Sequence, residues 1–381
     1  MRRNHKFALL LVAAIVVASS LMRTTAVRGY EALLLVGELG GYTPPALLQR
    51  RSETTVQALC IDRDSRQYNA DLYLPENSPK AGIVLLHGAT RAGKEDARLV
   101  AFARQLAGRG FAVLVPELPG PKQLRIRAED AQGAAAAFHF LDNYPGLERR
   151  VGIGGFSASA ALAFLAALEP DIREQVSFIL SVGGYHDLTR TIEYAITGRF
   201  SPNGEPRQQT PNVLGKWLFV LSNLDTLDAP ADRVAMRRIA LRRMAAPGAD
   251  IGDLAAELGE EGRVLLDYVT ETEADRIVAR RNELPAALAQ AIAALDLRNK
   301  ALHTLDARVL LIHGYNDAVI PYTESVALSR RFPPGQVELF LVHGLEHVDS
   351  NLERLQDAWY FWRACYALLK LRDTSYVRRE A

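Results

Sequence analysis

The sequence predicts an α/β fold: a mostly parallel central sheet of about eight strands, helices on both faces, and one helical insertion. Three observations carry that prediction. From about residue 53, short apolar runs alternate with helix-periodic stretches. Several of these runs are continuously apolar, the mark of strands buried on both faces. The rhythm stops near Thr189 and resumes near Val309, with polar, helix-prone sequence between.

Taken in order, Thr54 to Ile61 and Ala70 to Leu74 read as two early strands, followed by a turn at Pro75, Asn77, Ser78 and Pro79. Gly82 to Leu86 is a short buried strand. Glu95 to Arg109 is helical, with Leu99, Phe102 and Leu106 on one face and Gly110 as the stop. Phe111 to Val115 is a strand, Ala128 to Leu141 an alanine-rich helix, and Val151 to Gly155 a strand. Ala158 to Leu168 is a helix closed by Pro170, and Val176 to Val182 is a strand. Between Thr189 and about Lys300 no buried strand is expected. Asp232 to Met244, Leu254 to Val269 and Leu284 to Leu297 read as helices, broken by six prolines from Pro202 to Pro285. A segment of roughly 110 residues is too long for a loop. Strand Val309 to Ile312, helix Thr323 to Arg331, strand Val337 to Val342 and helix Leu352 to Leu371 complete the pattern.

The organisation is therefore a core at 29–188 and 300–381, an insertion at 189–299, and a leader at 1–28. Arg2, Arg3 and Lys6 precede an apolar run from Phe7 to Met22. Its sixteen residues span about 24 Å as a helix, short of a roughly 30 Å hydrocarbon core. That fits a signal peptide or a slightly short membrane anchor. The basic residues before the run favour a body on the extracytoplasmic side, with Arg23 and Arg28 beyond the run counting against it. A second apolar run, Ala32 to Leu39, carries Glu38 and follows Glu31; it is too short to span, and reads as a helix packing near the membrane or onto the domain.

Composition narrows the partners. Lys plus Arg is 45 and Asp plus Glu is 44, so no electrostatic footprint for nucleic acid exists. Cys60 and Cys365 are too few for a disulfide framework and lack metal-ligand spacing.

The chemistry centres on Gly155-Phe156-Ser157-Ala158-Ser159, at the end of a strand and the start of a helix. A sharp turn there presents the Ser157 hydroxyl in the open, provided its flanks are small. Alone, so short a motif arises by chance. Its context includes His347, on the loop between the last strand and last helix, where a base can reach the rim that carries Ser157. Asp317, after the penultimate strand, is the candidate acid; Asp187 is the rival, read instead as a helix cap. The order Ser157, Asp317, His347 is the Ser–Asp–His order of one hydrolase fold. Backbone N–H groups of Ala158 and Ala89 are the candidate oxyanion donors. Arg91 and Lys94 lie nearby and read as solvated loop charges.

Four motifs thus stand in order: His87-Gly88, the Ser157 pentapeptide, His313-Gly314-Tyr315-Asn316-Asp317, and Gly344-Leu345-Glu346-His347. In them the chain resembles the α/β-hydrolase superfamily over about 53–188 and 300–381. Asp71-Leu72-Tyr73-Leu74-Pro75 is similar to the branch with dienelactone hydrolases and prolyl-oligopeptidase-like enzymes. Dienelactone hydrolases use cysteine where this chain has Ser157, and the usual elbow ends in glycine where it has Ser159. The resemblance implies an α/β-hydrolase fold, a lid formed by the insertion, a small-molecule acyl substrate, and cleavage of a carboxylic ester without metal or organic cofactor. Thioester, amide or acyl-transfer chemistry would use the same triad. A membrane-tethered binding protein on a hydrolase scaffold is the non-enzymatic alternative.

Overall fold

The computed structural model describes residues 22–40, 53–63, 65–147, 150–343, 345–346, 349–350 and 355–373. The apolar run before Met22 and the candidate base His347 lie outside these residues.

Eight strands form one sheet. They are β1 (Thr54–Arg63), β2 (Arg66–Pro75), β3 (Ala81–Leu86), β4 (Phe111–Pro116), β5 (Val151–Phe156), β6 (Phe178–Val182), β7 (Arg308–Gly314) and β8 (Val337–Val342). Their order across the sheet is β1-β2-β4-β3-β5-β6-β7-β8. β1 and β2 form a ten-residue hairpin, and β2 lies antiparallel to β4; every later pairing is parallel. This is the mostly parallel, eight-stranded sheet that the sequence predicts, with an antiparallel hairpin at one edge. The strands and boundaries expected from continuous apolar runs agree to within a few residues. β3 and β4 are buried at all six positions, which is why their sequences show no alternation. Gly152 in β5 has a packing reason: a Cβ there would lie 2.3 Å from the Phe178 ring on β6.

Two helical layers cover the sheet. On one face lie α3 (Asp130–Asp142), α4 (Ser159–Ala167) and α11 (Thr323–Ser329), in a cluster containing Phe138, Leu162, Phe164 and Leu328. On the other lie the helix at 22–39, labelled α1, with α2 (Ala97–Ala107) and α12 (Leu355–Asp373). Leu35, Leu106, Phe361 and Leu368 belong to that second cluster. The run Ala32 to Leu39 thus packs onto the domain. Each fully buried Leu or Phe contributes about 2–3 kcal/mol, so both layers are held by area rather than by single contacts.

Between β6 and β7 the chain passes through α5 (Leu188–Thr197), α6 (Val213–Ser222), α7 (Pro230–Ala245), α8 (Glu260–Thr270), α9 (Ala274–Asn282) and α10 (Ala286–Leu295). These pack around an apolar cluster of their own, centred on Trp217, Met236, Ile239 and Leu265. A two-residue ribbon, Arg199–Phe200 against Arg207–Gln208, is the strand pairing described in this segment. Among the described residues no helix is long and apolar enough to cross a membrane. Cys60 is exposed, Cys365 is buried, and both are free thiols.

Candidate active site

Ser157 sits between the end of β5 and the start of α4 with φ of 55°, a left-handed conformation that L-residues disfavour by about 1–2 kcal/mol. Local packing holds it there. The Ser157 amide donates to the Val182 carbonyl at the end of β6, at 2.8 Å. A Cβ on Gly155 would lie 2.4 Å from the Ser159 carbonyl and 2.7 Å from the Ala160 Cα, so strand and helix approach as only glycine allows. Ala158, not Ser157, occupies the N-cap position of α4, and no side chain caps the helix. Capping therefore does not account for Ser157. Ser159 is wholly buried, and its Oγ has no hydrogen-bond partner among the described residues.

Two cavities meet at Ser157. The larger, of about 580 Å³, is bordered by Thr90, Asp96, Phe102, Asn212 and Asn316 among others. The smaller, of about 120 Å³, is apolar and bordered by Ile126, Leu188, Ile192, Phe219 and Val319. Ala89 and Ala158 both border this smaller cavity beside Ser157. Neither amide takes part in a backbone hydrogen bond among the described residues outside regular helices and strands. Gly88 has an ordinary φ and room for a Cβ, whose nearest neighbour would be the Phe156 carbonyl at 3.8 Å. Neither backbone strain nor close packing therefore requires glycine at this position.

Asp317 is buried on the loop after β7. Its Oδ1 accepts from the amides of Val319 at 2.7 Å and Ile320 at 3.0 Å. His313, four residues earlier, has Nε2 2.9 Å from the Ile320 carbonyl and 3.3 Å from Asp317 Oδ2. Its Nδ1 lies 2.7 Å from Ser325 Oγ. A neutral ring protonated on Nε2 donates to the carbonyl and accepts from the serine, satisfying both contacts. The imidazole, not only the backbone, therefore braces this loop.

The insertion braces it further. Tyr194 Oη donates to the Asp317 carbonyl at 2.9 Å, Gln209 Nε2 to the Asn316 carbonyl at 3.0 Å, and the Asn212 amide to the Ala318 carbonyl at 2.7 Å. Three successive carbonyls of the acid loop thus end on donors from the segment between β6 and β7. Burial pushes the Tyr194 phenol up, so it stays a donor at neutral pH.

The remaining candidates have structural tasks. Asp187 caps α5, accepting from the Arg190 amide at 3.1 Å, and pairs with Arg190 at 3.3 Å and Arg298 at 3.2 Å. Glu324 accepts from the amides of His186 and Asp187 at 3.1 and 2.7 Å. His87 lies with Nδ1 2.9 Å from the Gly88 carbonyl, while Nε2 accepts from the Leu118 amide at 3.0 Å. Burial lowers its pKa, consistent with that neutral, bridging role. Lys94 pairs with Asp71 at 2.7 Å, and Arg91 is exposed.

His186 is 7% exposed, and neither ring nitrogen has a hydrogen-bond partner among the described residues. Burial, reinforced by Arg190 and Arg331, lowers its pKa to about 4. The unfolded chain would protonate it below about 6.5. Its stability contribution is therefore whole above about pH 6.5 and is lost as pH falls toward 4, by up to about 3 kcal/mol. Burial raises the carboxyls of Glu324 and Asp296, which act in the opposite sense. His186→Phe is expected to flatten the acid side of the Tm–pH curve relative to the parent. At pH 7 it should leave Tm unchanged or raised, because no hydrogen bond is lost. Parallel Tm–pH curves for the two proteins would exclude this titration.

No family model and no curated protein matches the chain. Among solved structures it is similar to a 2,6-dihydroxy-pseudo-oxynicotine hydrolase, at 16% identity and TM-score 0.48, covering 82% of this chain and 68% of that one. A hyperthermophilic esterase from Pyrobaculum calidifontis is similar at 15% identity and TM-score 0.47, with 92% of each chain covered. An acylaminoacyl peptidase from Pyrococcus horikoshii is similar at 14% identity and TM-score 0.46 over 88% of this chain, which spans 44% of the peptidase. Likenesses this remote carry no argument about chemistry.

Proposed function

We propose that the chain is a serine hydrolase that cleaves carboxylic esters of short acyl groups through an acyl-enzyme. One observation carries the reading: Ser157, held at φ of 55° on a strand-to-helix turn between two cavities. Ser157 Oγ attacks the acyl carbon, and the amides of Ala89 and Ala158 receive the developing oxyanion. His347 takes the hydroxyl proton and returns it to the leaving alcohol; Asp317 holds the His347 ring in the useful tautomer. Water, activated by the same histidine, then releases the acid.

The smaller cavity takes the acyl group and the larger one the alcohol. Its volume of about 120 Å³ is below the roughly 150 Å³ that admits benzene, which limits the acyl group to a few carbons. The helices between β6 and β7 act as a lid that walls both cavities. Residues preceding α1 hold the chain at a membrane, with the body on the extracytoplasmic side, as Arg2, Arg3 and Lys6 favour. No metal or organic cofactor enters this scheme.

The test is turnover of a p-nitrophenyl ester series, from acetate to laurate. The expected result is a kcat/KM maximum among the shortest acyl groups and a steep fall beyond them. A maximum at laurate would overturn the acyl assignment. No turnover of any ester by folded protein, with no labelling by a fluorophosphonate, would overturn the hydrolase reading.

A further inference from the structure

Helix α1 is apolar on two faces: Ala32, Leu35 and Val36 are buried against the domain, and a second apolar stripe faces outward. Three of its four charged residues pair with the domain: Arg28 with Asp373 at 2.8 Å, Glu31 with Arg372 at 2.8 Å, and Glu38 with Arg109 at 3.0 Å; Arg23, near its start, is exposed. Met22, Tyr30 and Leu33 point out, at 74%, 50% and 59% exposure. At 100° per residue these three and Ala26 fall on one stripe. A helix packed on one face and solvated on the other carries polar residues along its outer face instead.

A second element extends the stripe. Trp362 on α12 donates from Nε1 to the Gly29 carbonyl at 2.9 Å, and Trp359 stacks on Trp362 with ring centres 4.9 Å apart. Trp359 is itself exposed. With Val27, this one corner holds five of the ten large apolar side chains exposed among the described residues. Scattered exposed apolar residues need no explanation, but a cluster on two braced helices does.

We infer that this face of α1 and α12 lies against a lipid bilayer, with Trp359 and Tyr30 at the headgroup level and Leu33 below it. The inference rests on the membrane reading above. The apolar run Phe7 to Met22 leads directly into the stripe, so the chain that would enter the bilayer ends where the exposed apolar face begins. Trp and Tyr are the residues that partition to the membrane–water interface. The ion pairs of Arg28, Glu31 and Glu38 fix the rotation of α1, which keeps the stripe outward. At its far end the helix reaches Leu39, in the wall of the larger cavity at Ser157.

The full chain should be reconstituted with phosphatidylcholine vesicles containing a minor share of phosphatidylglycerol and brominated near the headgroup or near the chain end. One of the three tryptophans is the reporter, so headgroup-proximal bromine is expected to remove about a third of the emission. Trp359→Phe should abolish that loss, and Leu33→Glu should weaken it while the chain still floats with the vesicles. A chain that floats without quenching would overturn the lipid face and leave the anchor standing. A chain that fails to float would overturn both. A dimer in lipid-free buffer, with Trp359 shielded from a soluble quencher, would assign the face to a second copy instead.

Discussion

Ser157→Ala is expected to lower kcat by about five to six orders of magnitude, with Tm nearly unchanged. The two halves of that result test different things. Loss of turnover tests the nucleophile, because among the described residues that border both cavities Ser157 alone carries a hydroxyl. The flat Tm tests the geometry: alanine is an L-residue and bears the same left-handed strain at φ of 55°. Ser157→Gly separates the two further. It removes the nucleophile equally well but relaxes the turn, so its Tm should exceed that of the alanine variant. Activity assays against p-nitrophenyl acetate and thermal scans of all three proteins decide the matter. An alanine variant that keeps its rate would remove Ser157 from the mechanism.

Asp317→Asn is the second large effect, at about 10⁴-fold in kcat. The asparagine oxygen can still accept from the amides of Val319 and Ile320, so the loop should hold its shape. What is lost is the negative charge that stabilises an imidazolium. Asp187→Asn is the matched control. Asparagine caps helices as well as aspartate does, so α5 keeps its start, and the loss falls on ion pairs with Arg190 and Arg298. Turnover of that variant should stay within a few-fold of the parent. Steady-state kinetics on both variants would expose the reverse pattern, which would move the acid to the loop after β6.

The sheet was legible in the sequence because its central strands are buried on both faces and therefore written as unbroken apolar runs, Gly82 to Leu86 and Phe111 to Val115 among them. The elbow was legible because the steric demand at Gly155 leaves a mark in residue type. Three insertion helices were not. Leu188–Thr197 is rich in β-branched residues, Val213–Ser222 contains Gly215 in an almost continuous apolar run, and Ala274–Asn282 is mostly polar, so helical periodicity is faint in each. The supports of the acid loop were also hidden. Tyr194, Gln209 and Asn212 donate to backbone carbonyls, and a carbonyl acceptor imposes no residue type on its own position. His313 left one faint sign, its spacing of four residues before Asp317.

Those carbonyl bonds bear on what can be removed from this molecule. A segment that only covered a pocket could be trimmed, leaving an exposed but working centre. Here the same segment serves as a splint: it grips the loop that presents Asp317 at three consecutive peptide units. Deleting it would remove all three of those bonds, leaving the aspartate loop held by His313 and by its own side-chain contacts to Val319 and Ile320. On the proposed function, substrate range would be varied at Ile192, Leu218 or Phe219, which face the cavities, while Tyr194, Gln209 and the Asn212 peptide keep their bonds to the loop.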